Sequence, residues 1–136
     1  MNTIKDFYQL VHIIKKYDEN ININIDRTIK YNDTSGFTSL YGVHIINICV
    51  NSKDLINNYE RQIATLAHEF GHYQSFIISN KLPKDCSGYH RLVEEFKAWR
   101  YGSKFLKTNN IKYDDSAYIF ALMSFLSHCN ELFMSI

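Results

Sequence analysis

Two histidines four residues apart, His68 and His72, stand in the stretch HEFGH, with Glu69 directly after the first of them. On an α-helix, residues i and i+4 lie one turn apart on the same face. Both imidazoles can therefore point a nitrogen at one zinc ion, which binds histidine at about 2.0–2.1 Å. The spacing predicts a zinc site at which the two histidines are ligands.

Glu69 adds a second kind of chemistry to the same stretch. Successive residues of a helix are rotated by about 100°, so this carboxylate would overhang the ion without ligating it. Zinc lowers the pKa of the water that it binds, and a carboxylate in that place can accept the proton as the water attacks a carbonyl. This division of roles is the HExxH arrangement of metallopeptidases, and it makes Glu69 the expected catalytic base.

The alternative interpretation is that HEFGH arose by chance, because a histidine on a helix is usually an ordinary core or surface residue. His12 and His128 are interpreted in that way. The motif, however, lies in a helical run whose apolar face extends from Ile63 to Ile77. Three polar side chains would be costly to bury there without a shared purpose, so a metal site is favoured.

A catalytic zinc site needs a third protein ligand, and the next predicted helix contains the adjacent glutamates Glu94 and Glu95. Glu95 shares a largely apolar face with Trp99, and an acid embedded in a buried face needs a cation. Glu94 lies on a more polar face. The ordinary alternative is that both glutamates only form exposed i,i+4 ion pairs, for example Glu94 with Arg91. Glu95 is therefore the expected third ligand, and Glu94 and His90 are the alternatives.

A peptidase also needs a hydrogen-bond donor for the oxyanion of its tetrahedral intermediate, often Tyr or His. The candidates near the motifs are Tyr73, Tyr89, His90 and Tyr101. His90 is the first to test, because it enters the second ligand helix from a loop. His44 faces either the cleft or the solvent side of a predicted sheet.

The first half of the chain is predicted to form one helix and a small sheet. Apolar residues recur every three or four positions between Ile4 and Lys15, which indicates a helix. Alternation in NINIDRTIKY and again in FTSLYGVHIINICVN indicates strands. A turn is expected between them at Asn32–Gly36, and a break or bulge at Gly42.

The second half of the chain is predicted to be helical. Ser52, Asn57 and Asn58 are alternative N-caps of the helix that contains HEFGH. A loop around Pro83 separates this helix from the one with both glutamates, and a last, strongly apolar helix follows. The predicted fold is α+β: an N-terminal helix, a short antiparallel sheet and three helices in a single domain, residues 1–136.

Composition narrows the classes of function. With 46% hydrophobic and 21% charged residues the chain can form a core, and its net charge of +1 does not indicate nucleic-acid binding. No segment approaches the roughly 20 apolar residues that span a bilayer, and no secretory signal is recognisable, so no membrane partner and a cytoplasmic location are predicted. Cys49, Cys86 and Cys129 form no CxxC pair, which argues against a disulfide framework.

The two motifs together resemble those of the gluzincin-like HExxH zincin metallopeptidases, and among these the ImmA/IrrE type. In that family, HExxH on one helix is followed on the next by a glutamate ligand in the pattern E-x-x-A-x-x-F-A. Here EFKAWRYG has Glu95, Ala98, Tyr101 and Gly102 at the four marked positions. Trp99 stands where the family often has Asn. The resemblance covers roughly the middle of the chain.

The resemblance implies that the zinc ligands are His68, His72 and Glu95. Glu69 would be the base of a zinc-dependent metallopeptidase. The resemblance also implies a minimal zincin-like core, in which a protein or peptide substrate adds to an edge strand beside the cleft. The strand VHIINICV, Val43 to Val50, is the expected edge, since it lies just before the zinc helix. Two rival hypotheses are a non-catalytic, zinc-stabilised binding or regulatory module and a zinc hydrolase of a non-peptide amide.

Overall fold

The structure, a computed structural model, describes residues 4–26, 35–49 and 59–111. Its elements are α1 (Ile4–Tyr17), β1 (Ile21–Asp26), β2 (Gly36–Leu40), β3 (Val43–Cys49), α2 (Tyr59–Ser79), a 3-10 turn (Pro83–Asp85) and α3 (Gly88–Thr108). The predicted α+β class is confirmed. The last predicted helix, the alternative N-caps of the zinc helix and most of the turn at Asn32–Gly36 lie outside the described residues. None of the described helices is long and apolar enough to cross a membrane.

The sheet has three strands in the order β1–β3–β2. β2 runs antiparallel to β3 and β1 runs parallel to it, with Phe37 of β2 and Ile23 of β1 both opposite Ile46. The expected antiparallel sheet is therefore correct for one pair of strands and wrong for the other. Alternation of apolar residues identifies a half-buried strand, but it carries no information on the direction of the neighbouring strand.

A two-residue turn joins β2 to β3. Tyr41 has φ of 50° and Gly42 has φ of 80°, and positive φ at both positions is typical of turns that match the twist of a hairpin. The break or bulge expected at Gly42 is thus a tight turn. Because β2 and β1 flank β3 on opposite sides, the expectation that Val43–Val50 forms the edge strand is wrong. Among the described strands, β2 is an edge.

The helix α2 lies at the centre of the described core. Its Phe70 ring packs against Tyr17 of α1, with centroids 5.4 Å apart, and against Phe105 of α3, with centroids 4.5 Å apart. On the sheet, Ile46 is fully buried. The predicted apolar face of α2 ends before Ile77, which lies in the last turn of the helix and is 56% exposed.

Two glycines allow α2 and α3 to approach each other closely. A Cβ atom on Gly71 would overlap the backbone carbonyl of Ala98, and one on Gly102 would overlap the backbone carbonyl of Ala67. Gly71 therefore has the packing role that the sequence predicts. Ala67 and Gly71 directly precede the two histidines of HEFGH, so this contact brings the histidines against α3.

Candidate metal centre

Two helices bring three polar side chains to one point. His68 and His72 lie on successive turns of α2, and Glu95 lies on the buried face of α3. Each offers one ligand atom, and these three atoms lie within 4.8 Å of one another. The Nε2 atoms of His68 and His72 are 2.8 and 3.3 Å from Oε2 of Glu95. The structure thus brings together the three residues that the sequence predicts as metal ligands.

The two adjacent glutamates of α3 differ in their surroundings. Glu95 is 2% exposed. Glu94 accepts a hydrogen bond from Ser75 Oγ at 2.7 Å and lies 3.5 Å from Lys97 Nζ. His90, the other alternative ligand, is exposed near the start of α3. Neither alternative belongs to the group of convergent ligand atoms found in the described part of the chain.

Glu95 is ionised in spite of its burial. Burial alone would raise the pKa of this carboxyl, but hydrogen bonds with His68 and His72, and the charge of those rings, hold the pKa well below its usual range. The other carboxylate oxygen, Oε1, accepts a hydrogen bond from Arg91 Nε at 3.0 Å. A buried negative charge therefore faces two imidazoles, an arrangement that suits a divalent cation.

The donor set fits a zinc ion. Two imidazole nitrogens and one carboxylate oxygen are a ligand set of known catalytic zinc sites. Ligand atoms about 2.0–2.1 Å from a tetrahedral ion lie about 3.3 Å apart. The nitrogen–oxygen separation of 3.3 Å for His72 matches that value, whereas the 2.8 Å for His68 is shorter and is a hydrogen-bond distance. His72 Nδ1 is buried without a hydrogen-bond partner among the described residues, so the polar contacts described for this ring are made by Nε2.

Glu69 lies beside this group and is also buried. The residue is 6% exposed. Burial raises the pKa of this carboxyl to about 7, although the charge of His72 and, more weakly, that of Arg91 oppose the increase. A carboxyl with a pKa near neutrality can both accept and release a proton under physiological conditions.

The face of α2 that carries Glu69 points toward the sheet. Tyr73 and Phe76, four and seven residues after Glu69, contact the His44 ring of β3, with centroids 5.1 and 6.0 Å apart. His44 is thus buried against the helix rather than placed on the solvent side of the sheet. The Tyr73 hydroxyl donates a hydrogen bond to Asp18 Oδ2 at 2.7 Å. That hydroxyl is engaged by Asp18, which weakens its candidacy as the oxyanion donor.

The remaining oxyanion candidates lie on α3. Tyr89 and His90 are exposed near the start of the helix, with ring centroids 6.3 Å apart, and Tyr101 is half-buried in its second half. None of the three contributes an atom to the convergent group found among the described residues. Which residue donates to the oxyanion therefore stays a prediction.

Sequence reasoning missed the roles of two residues at the site. Arg91 entered only as an example of an exposed ion-pair partner for Glu94, whereas its Nε donates a hydrogen bond to the buried Glu95. Trp99, treated only as an apolar residue, lies against His68, with ring centroids 4.0 Å apart and an angle of 32° between the planes. Both residues are four positions from Glu95, one before and one after. The i,i+4 rule applied to Glu95 would have found both.

Comparisons of the chain with models of known families, with curated proteins and with solved structures found no match. Its function is therefore inferred from the residues of the site and their geometry.

Proposed function

We propose that this protein is a zinc-dependent metallopeptidase that hydrolyses peptide bonds in a protein or peptide substrate. The observation that carries the proposal is the convergence of His68, His72 and Glu95 from two helices, with ligand atoms within 4.8 Å of one another. The buried carboxyl of Glu69, next to His68 on α2, supplies the base that such a hydrolase needs.

The proposed chemistry is divided among these residues. The two histidines and Glu95 would hold the ion, which when bound would act as a Lewis acid toward the scissile carbonyl and make a water more acidic. Glu69 accepts a proton from the attacking water and then gives it to the amine nitrogen that leaves, so the residue returns to its starting state. In the metal-free protein, burial raises the pKa of this carboxyl to about 7.

The side of β2 that faces away from β3, an edge among the described strands, is the proposed place of the substrate. Ser39 of β2 pairs with His44 of β3. The backbone N–H of His44 donates a hydrogen bond at 3.0 Å to the backbone oxygen of Asn20, the residue before β1, so it points away from β2. Paired residues of an antiparallel ladder point their backbone groups either at each other or away from each other. Ser39 and Phe37 therefore direct their N–H and C=O groups away from β3. An extended peptide could pair with these groups as a further strand.

A second candidate function keeps the zinc and omits the catalysis. His68, His72 and Glu95 are 8%, 3% and 2% exposed, a degree of burial that favours a closed, structural zinc site. In that case the ion would stabilise the packing of α2 on α3, and the domain would act as a binding or regulatory module.

Glu69→Gln separates the two functions. Protein purified from zinc-replete medium is expected to contain one zinc per chain and to cleave a mixture of unstructured peptides, with fragments detected by mass spectrometry. The variant is expected to keep the zinc and lose the cleavage. Zinc retention without cleavage by either protein, together with unfolding when zinc is chelated, would support the module instead. Absence of zinc from the purified protein would contradict both.

A further inference from the structure

We propose that Arg91 is a positioning residue that decides which oxygen of Glu95 faces the metal and limits this carboxylate to one-oxygen ligation. The inference rests on the metal site of the proposed function. It concerns a side chain that contributes no ligand atom of its own and acts only through Glu95.

The two oxygens of Glu95 have separate partners. Oε2 lies 2.8 Å from His68 Nε2 and 3.3 Å from His72 Nε2, at the point where the ligand atoms converge. Oε1 accepts a hydrogen bond from Arg91 Nε at 3.0 Å. Since the carboxylate is 2% exposed, water cannot take over this second contact freely. The carboxylate plane is thus fixed from both sides, with one oxygen turned to the site and the other turned away.

Arg91 is itself held in place by the chain that connects the two helices. Its Nη1 donates a hydrogen bond at 2.7 Å to the carbonyl oxygen of Pro83, the first residue of the 3-10 turn. The planar guanidinium therefore bridges two acceptors, the backbone carbonyl of Pro83 and the carboxylate of Glu95. Glu95 lies one helical turn after Arg91 on α3. A lysine could place only a point charge here, because its single ammonium lacks this fixed fork.

One-oxygen ligation has a chemical consequence. Two histidines and one carboxylate oxygen leave a fourth position of a tetrahedral zinc site open for water or substrate. If Glu95 were free to turn, both of its oxygens could approach the ion and occupy that space. Hydrogen bonds that orient metal ligands are typically worth 10- to 100-fold in metal affinity or activity. Arg91 would thus protect both the affinity and the open position of the site.

The test is Co²⁺ binding to the full chain, followed by visible absorption, for Arg91→Leu, Arg91→Lys and Lys97→Leu. The last variant is a matched control, because Lys97 lies on the same helix and pairs with Glu94, so its loss removes the same charge without touching Glu95. Wild type and control are expected to give the same intense absorption of low-coordinate Co²⁺. Arg91→Leu is expected to bind Co²⁺ about 10- to 100-fold more weakly, with the weaker band of a higher coordination number.

Arg91→Lys keeps the charge and is expected to recover only part of the affinity. If circular dichroism shows that Arg91→Leu does not fold, Arg91→Lys becomes the variant on which the test depends. An affinity and a spectrum of Arg91→Leu equal to those of the control would overturn the proposal, and so would a lysine variant equal to wild type. Absence of Co²⁺ binding by the wild type would overturn the metal site itself, whereas Co²⁺ binding without peptide cleavage would leave the role of Arg91 standing.

Discussion

Glu69 is buried, and this burial sets the pKa of its carboxyl. A carboxylate removed from water loses the solvation of its charged form, which is why burial raises its pKa to about 7. The positive charge of Arg91, which pairs with Glu95, lowers the pKa of Glu69 only weakly. The Glu69 carboxyl therefore has a pKa near neutrality in the metal-free protein.

This environment predicts a pH dependence of stability for the metal-free protein. The pKa of Glu69 rises from 4.5 to about 7 on folding, so the folded state binds the proton more tightly. The associated stability is fully present below pH 4.5 and is lost as the pH rises through 7, a change of roughly 3 kcal/mol. Glu69→Gln is expected to remove this decline in urea unfolding measured from pH 4.5 to pH 8.

Glu19→Gln is the control, because it removes a carboxylate from an exposed residue two positions after the end of α1. This variant is expected to retain the decline. An equal decline in the wild type and in Glu69→Gln would show that the buried carboxyl does not carry it.

At the scale of the elements, the site depends on how closely α2 and α3 approach. The ligands lie on two separate helices, so a shift of one helix would separate the imidazoles from the carboxylate. Gly71 meets the backbone of Ala98, and Gly102 meets the backbone of Ala67, with no room for a methyl group at either point. Backbone atoms cannot move aside as the end of a flexible side chain can.

Gly71→Ala is therefore expected to force the helices apart. Overpacking of this kind destabilises a protein by about 1–3 kcal/mol, and here it would also weaken zinc binding. Gly36→Ala is the control, because an added Cβ at Gly36 would meet nothing within 4 Å. Chemical denaturation and zinc titration of both variants would test this. Wild-type zinc affinity in Gly71→Ala would contradict the importance of the close approach.

At the scale of the whole molecule, a second polar group connects α1, the sheet and α2. Asp18 accepts a hydrogen bond from the Tyr73 hydroxyl at 2.7 Å and another from the Asn20 backbone N–H at 2.9 Å. His44 lies 3.8 Å from the same carboxylate and 2.9 Å from Ser39 Oγ. This group ties the face of α2 that carries Tyr73 to β3 and to the end of α1.

Tyr73→Phe is expected to loosen this connection. The pKa of Asp18 is lowered from 3.8, mainly by the hydrogen bond from Tyr73 and less by that from the Asn20 backbone. The ionised carboxylate therefore stabilises the fold above pH 3.8, and this stabilisation is lost as the pH falls further. The variant should lose about 1–2 kcal/mol of unfolding free energy at pH 7 and less at pH 2. An equal loss at both pH values in thermal unfolding would contradict the role of the ionised carboxylate.

The sequence predicted what depends on local spacing. The pairing of His68 with His72 follows from one helical turn, and the choice of Glu95 over Glu94 follows from an acid on an apolar face. Long-range relations could not be read in the same way. The parallel pairing of β1 with β3 and the central position of β3 depend on how distant segments meet. The hydrogen bond between Arg91 and Glu95 was not predicted, because Glu94 and Glu95 both lie about one helical turn after Arg91.

The central claim is that a divalent ion is bound by His68, His72 and Glu95. The most direct test is isothermal titration calorimetry of zinc binding to the metal-free protein. The wild type is compared with Glu95→Gln and Glu94→Gln. We expect one zinc per chain in the wild type and in Glu94→Gln, and binding weakened by at least tenfold in Glu95→Gln. No binding by the wild type, or equal affinity in all three proteins, would contradict the claim.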